Sequence, residues 1–353
     1  MIKKTPSSRL NWLLILVALT LTLSACTSAS AIGWPGPTPA GDTVYVGSTD
    51  GRLLALEVSS GARKWQFPAE GETKLGPFYA SATVSASVVY VGSYDGKLYA
   101  LDAASGLKRW EFTTGGPIVG DASVFGSLVY VSSSDGKVYA LDFDGKKKWE
   151  FASRNKIWSS PVVTAGAVYV TSLDRQLYAL NSSNGTVLWP FLAQGALAST
   201  PTFAGGKVLI GSFDRNFYAV EASTGKEAWR FEGGNAFWSQ PLVIGGTVYV
   251  GGLDKKVYAL DLASGAKKWE YTARDLIRSQ PVAAEGAIVV AAQNGELLWL
   301  DAQTGSEQRR VTVKAPVLAN IAVQDGILYV ASREKVLYAI DIKTGTKRWE
   351  API

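Results

Sequence analysis

Along most of the chain, short β-favouring runs alternate with one to three turn residues. The stretch from Ser239 to Tyr271 shows the unit. Its apolar and aromatic runs, at 241–244, 247–251, 257–261 and 267–271, have the valine, tyrosine, isoleucine and tryptophan content and partial alternation of strands. Gly245-Gly246, Asp254-Lys255 and Ala263-Ser264-Gly265 separate them and are short enough for hairpins. The pattern predicts a four-stranded antiparallel meander.

The unit recurs. A tryptophan marks its last strand at Trp65, Trp110, Trp149, Trp189, Trp229, Trp269 and Trp349, with Arg309 in the remaining place. In phase with it run Leu54-Ala55-Leu56, Tyr99-Ala100-Leu101, Tyr139-Ala140-Leu141, Tyr178-Ala179-Leu180, Tyr218-Ala219-Val220, Tyr258-Ala259-Leu260, Leu298-Trp299-Leu300 and Tyr338-Ala339-Ile340. Helical solenoids can share a repeat of this length, but they need apolar spacing of three and four, which is absent. Eight repeats of four strands predict an all-β fold, an eight-bladed β-propeller of four-stranded antiparallel blades. The expected organisation is residues 1–25 as a signal segment, 26–36 as a lipidated tether and 37–353 as one propeller.

Several positions have structural explanations. Inner strands open on Pro161, Pro201, Pro241 and Pro281, as proline can where its missing N–H faces no partner. Lysine and arginine crowd the fourth strands, the outer edges, where charge discourages edge-to-edge pairing. Asp50-Gly51, Asp95-Gly96 and Asp135-Gly136 are the dipeptides of tight turns, and no calcium-loop spacing accompanies them. Blade seven departs from the rule by exchanging a large and a small residue: Trp299 replaces the usual Ala and Arg309 the usual Trp. The expectation is that the Trp299 indole fills the vacated volume with Arg309 across it.

The first residues follow a different pattern. Lys3, Lys4 and Arg9 precede an apolar run from Trp12 to Leu23, too short to span a bilayer comfortably, and Leu23-Ser24-Ala25-Cys26 follows. This resembles a bacterial lipoprotein signal and implies lipid attachment at Cys26, the single cysteine. The protein is therefore expected to be exported and lipid-anchored, either to the outer membrane facing the periplasm or to the outer face of the cytoplasmic membrane. Without the three basic residues the formal charge falls from +5 to +2, which leaves nucleic-acid binding unsupported. Residues 27–40 are small and proline-rich, as in a tether.

Composition narrows the chemistry further. The 353 residues contain no histidine, which excludes histidine-based triads, metal sites and acid–base catalysis. No phosphate-binding glycine motif stands between a strand and a helix. No catalytic residue, metal ligand or cofactor is expected.

The combination of Val-Tyr-Val-Gly-Ser, Asp-Gly-x-Leu-Tyr-Ala-Leu-Asp, Thr-Gly and Trp resembles the pyrroloquinoline-quinone-type propeller repeat of quinoprotein dehydrogenases and their non-catalytic relatives. With the lipobox, the short tether and eight bare blades, the chain resembles the propeller lipoprotein of the outer-membrane protein assembly machinery. That resemblance implies a non-enzymatic scaffold touching envelope protein partners through one face. Two other readings stand beside it: a quinone-dependent dehydrogenase, and a small-ligand or sugar-binding sensor. Catalytic relatives add long insertions and a disulfide, for which this chain has neither the length nor the cysteines.

If strands run in chain order, the fourth-to-first connections and second-to-third turns share one face. That face is expected to hold Phe78, Tyr79, Ile118, Trp158, Phe237, Trp238 and Arg278, with Arg175, Arg215 and Lys255 in the non-glycine turns. Aromatic residues and arginine without a repeat-wide duty are enriched at protein interfaces. Trp158 and Trp238 could equally cap the channel as core.

Overall fold

The structure, a computed structural model, describes residues 35–353; the expected signal segment and Cys26 lie outside the described residues. Thirty-two strands form eight four-stranded antiparallel sheets, each from four consecutive strands. The blades span 38–67, 83–113, 123–152, 162–192, 202–232, 242–272, 282–312 and 322–352. In blade six the strands are Leu242–Ile244, Thr247–Gly251, Lys256–Asp261 and Lys267–Thr272. Thus Pro241 stands just before its strand rather than in it. Gly245 and Gly246, at φ of 53° and 76°, make the left-handed pair that a two-residue hairpin needs.

Second and third strands are almost wholly buried, whereas fourth strands alternate between exposed positions and buried or half-buried ones. Each third-strand Ala lies directly opposite its fourth-strand Trp, and a bulge follows at once, as between Ala259 and Leu260. The small Ala leaves room for the indole, and the extra residue increases strand twist. The indole then bridges to the next blade. Trp269 Nε1 donates to the Ala302 carbonyl at 3.1 Å and Trp229 Nε1 to that of Leu262 at 3.0 Å. Beneath each ring lies a glycine of the next blade's third-to-fourth turn: a Cβ on Gly265 would come within 2.5 Å of Trp229.

Blade seven keeps the bridge by another route. Trp299, paired with Arg309, donates from Nε1 to the Ile342 carbonyl at 2.9 Å, the position its fourth-strand counterparts use. A second exchange accompanies it. In blades two, three and six a third-strand lysine meets a fourth-strand glutamate, as in Lys256–Glu270 at 2.6 Å; here Glu296 meets Arg310 at 2.8 Å.

The inner strands, which have no main-chain neighbour across the channel, are joined by side chains. Ser81 N donates to Asp121 Oδ1, Asp121 N to Ser160 Oγ, Ser160 N to Thr200 Oγ1 and Gln280 N to Asn320 Oδ1. A second belt runs from Thr38, Thr83, Ser123 and Thr202 hydroxyls to carbonyls one blade on. Two of the acceptors are the carbonyls of Pro161 and Pro241, which stand just before their strands.

Among the described residues no strand is exchanged between the first and last blades. The ring closes through packing of Val44, Val46, Leu54 and Leu56 against Tyr329, Leu337 and Ala339. Trp349 Nε1 completes the joint by donating to the Val58 carbonyl at 2.8 Å.

Candidate partner-binding face

The second-to-third turns and the connections between blades are bound to each other, which fixes them on one face. Asp254 Oδ1 accepts from its own turn, at Lys256 N. Its Oδ2 accepts from the Tyr258 hydroxyl at 2.5 Å and from Gly234 N, in the incoming connection, at 2.8 Å. The same three-way clasp recurs at Asp135, Asp174 and Asp214. Burial, with the adjacent carboxylate, pushes the Tyr218 hydroxyl up to about 12 and raises those of Tyr139, Tyr178 and Tyr258. The repeated turn acids are therefore structural ties between blades. Among the described residues no group of three or more Asp, Glu, His or Cys is placed to hold a metal ion.

The connections alternate inward and outward side chains. Phe78, Ile118, Ile157, Leu197, Phe237, Ile277 and Val317 are 0–2% exposed. Each covers the end of a second strand: a Cβ on Gly251 would lie 2.2 Å from Ile277, and one on Gly211 2.6 Å from Phe237. Phe78, Ile118 and Phe237, expected on the exposed face, are core residues. Phe237 packs at 5.6–5.7 Å from the rings of Phe217 and Tyr258.

The next residue in each connection points the other way. Tyr79, Val119, Trp158, Ala198, Trp238, Arg278 and Leu318 are all half-buried and circle the channel mouth. In blades four to seven a buried serine follows each of them. Ser159, Ser199, Ser239 and Ser279 each donate to the carbonyl ending the second strand and accept from the same residue's N–H. This double bond fixes the connection and with it the outward side chain. It is missing where Ala80, Gly120 and Ala319 take the serine's place.

Trp158 and Trp238 stand two blades apart, with only Ala198 between them in the circle, and their rings meet at 6.5 Å. Phe213, 36% exposed at the tip of a second-to-third turn, lies 5.4 Å from Trp238. The Arg278 guanidinium stacks over Trp238 at 5.6 Å, and its buried Nε has no hydrogen-bond partner among the described residues. Arg175, Arg215 and Lys255 are exposed in their turns on the same face. Tyr79 belongs to a separate pair, edge-on to Tyr94 at 5.2 Å. Sequence reasoning missed Phe213 and the serine ties. The signals were the variable residue before each turn Asp and the Ser repeated at 159, 199, 239 and 279.

Fold and repeat define an eight-bladed propeller of the pyrroloquinoline-quinone type. A family model described as outer membrane protein assembly factor BamB matches residues 18–120, 71–156, 113–199, 190–280 and 274–352. The chain belongs to that family. Among solved structures, BamB from Moraxella catarrhalis is 23% identical, with a TM-score of 0.72 over 84% of this chain and 92% of that one. The computationally designed Ika8 protein is 14% identical, with a TM-score of 0.75 over 91% of this chain and 96% of its own. The quinohemoprotein alcohol dehydrogenase ADHIIG from Pseudomonas putida HK5 is 15% identical, with a TM-score of 0.68 over 87% and 70%. These likenesses establish the fold. No curated protein matches the chain.

Proposed function

We propose that the chain is a non-enzymatic scaffold of the outer-membrane protein assembly machinery, held to the membrane by lipid on Cys26 after removal of residues 1–25. Residues 26–36 are its tether. Its partner is an envelope protein, docked on the face formed by blades four to six. The observation that carries this reading is the Trp158–Trp238 pair with Phe213 and Arg278 gathered on it. Large aromatic side chains and arginine at the centre of a patch, fixed from below and ringed by polar turns, match the composition of protein-binding hot spots. Family membership supports the assembly role.

The test is co-purification from detergent-solubilised envelope, comparing wild type with a Trp158→Ala/Trp238→Ala variant of matched thermal stability. Wild type should retain an envelope protein that the variant loses. Retention of no protein by either form would defeat the scaffold reading.

A further inference from the structure

One position of the second-to-third turn has left-handed backbone in every blade. Blades one, two, three and seven fill it with Gly51, Gly96, Gly136 and Gly295, at φ of 85° to 91°. Blades four, five, six and eight fill it with Arg175, Arg215, Lys255 and Lys335, at φ of 74°, 75°, 69° and 60°. Left-handed backbone suits glycine and, after it, asparagine or aspartate. All four replacements are instead long cations. The turn itself does not need them, since blade three makes the same clasp with glycine at that position.

Nor do local partners explain them. Arg215 meets Glu232 at 3.0 Å with both side chains more than half exposed, and Lys335 reaches Asp50 only at 4.0 Å. Lys255 donates to the Arg274 carbonyl at 3.3 Å, and Arg175 makes no ion pair among the described residues. Exposed pairs of this kind contribute little to folding. Backbone strain kept without local return points to a duty outside the fold.

Three of the four cations lie on consecutive blades, on the face that carries Trp158 and Trp238. The flanking connections add four cations, Arg154, Lys156, Arg274 and Arg278, against one acid, Asp275, whereas the connection into blade three, residues 114–122, holds no cation and one acid, Asp121. The face is thus electrically lopsided, positive on the side of the indole pair. The clasp aspartates beneath it are occupied by tyrosine hydroxyls and backbone N–H groups.

We propose that Arg175, Arg215 and Lys255 form a cationic rim that recognises an acidic surface on the protein partner. This rests on the scaffold reading and adds the chemistry of what docks. Rim charges act mainly through association rate and salt dependence, so the contact should weaken steeply as salt rises.

The test uses the full-length chain in detergent and the triple variant Arg175→Gly/Arg215→Gly/Lys255→Gly, which restores the residue used by the glycine blades. Its melting temperature should equal or exceed that of wild type. Retention on immobilised poly-L-glutamate at low salt should fall about tenfold, with wild type itself released near 0.5 M salt. Envelope-protein capture should fall in parallel. A control Lys108→Ser/Lys147→Ser/Lys267→Ser, on the outer edges, should bind as wild type does.

Equal loss in the control, undiminished binding by the glycine variant, or a preference for phosphatidylglycerol vesicles over poly-glutamate would each overturn the acidic-protein assignment. Capture lost in the Trp158/Trp238 variant but kept in the glycine variant would overturn the rim and leave the scaffold standing. If wild type captures nothing, the scaffold reading fails, and the poly-glutamate comparison decides the rim by itself.

Discussion

The guanidinium carbon of Arg309 lies 5.8 Å from the centroid of the Trp299 ring, directly across the pair of strands that elsewhere sets Ala against Trp. Arg309 also donates from Nη1 to the Lys343 carbonyl, and its Cδ covers Gly345 where other blades lay an indole over glycine. The blade has moved its indole from one strand to the next while keeping the volume and the inter-blade hydrogen bond.

This exchange should behave as a unit. Trp299→Ala alone opens a cavity and orphans the Ile342 carbonyl, at a cost of about 3–5 kcal/mol. Adding Arg309→Trp restores the arrangement of the other blades and should recover most of that loss. Urea denaturation of the two single variants and the double measures the coupling, expected at 2 kcal/mol or more; additive losses would contradict it.

Asp121 gives the pH dependence a sign. Desolvation in the inner belt pushes its carboxyl up to about 6, against the hydrogen bonds from Ser81 that favour the charged form. The unfolded carboxyl titrates near about 3.9. The folded state therefore holds this proton more tightly, so the group's stabilising contribution is full below about pH 4 and lost as pH rises through about 6. Asp121→Asn should raise stability at pH 7 by about 1–2 kcal/mol and give no gain at pH 4. Asn320 already accepts the equivalent bond from Gln280, so the amide fits the belt. Thermal melts at the two pH values check this, and equal effects at both would refute it.

The aspartate clasp makes a third expectation. Asp254→Ala leaves the buried Tyr258 hydroxyl and the N–H groups of Gly234 and Lys256 without their acceptor, at about 2–4 kcal/mol. Tyr258→Phe should cost about 1 kcal/mol. Because the phenylalanine removes one of the orphaned donors, the double variant should be less destabilised than the sum. Chemical denaturation decides between sub-additive and additive behaviour.

The repeat was readable because strand period, turn glycines and an Ala–Trp spacing all report the same local geometry. The Trp299–Arg309 exchange was also visible, since a missing large residue beside an added one conserves volume. Direction along the connections was harder to see. Phe78 and Phe237 stand next to outward-facing residues, and only the run of apolar side chains at Ile118, Ile157, Leu197, Ile277 and Val317 marks their position as core. The meeting of Trp158 with Trp238 depends on a small residue at Ala198 and on curvature that brings separate blades together. Spacing along the chain does not encode that distance. The left-handed cations were legible as non-glycine turns, but their strain became visible only in the backbone angles.

Seven joints of the ring are crossed by the polypeptide itself; among the described residues the joint between the last blade and the first is crossed only by side chains. Trp349 reaching Val58 gives that joint the same contact as the others, but no covalent leash limits how far it can separate. Thermal breathing of the ring should therefore concentrate there. Amide exchange along the edges of blades one and eight would then outpace exchange at any leashed joint. The proposed binding face of blades four to six lies across the circle from this seam, in the part least disturbed when it opens.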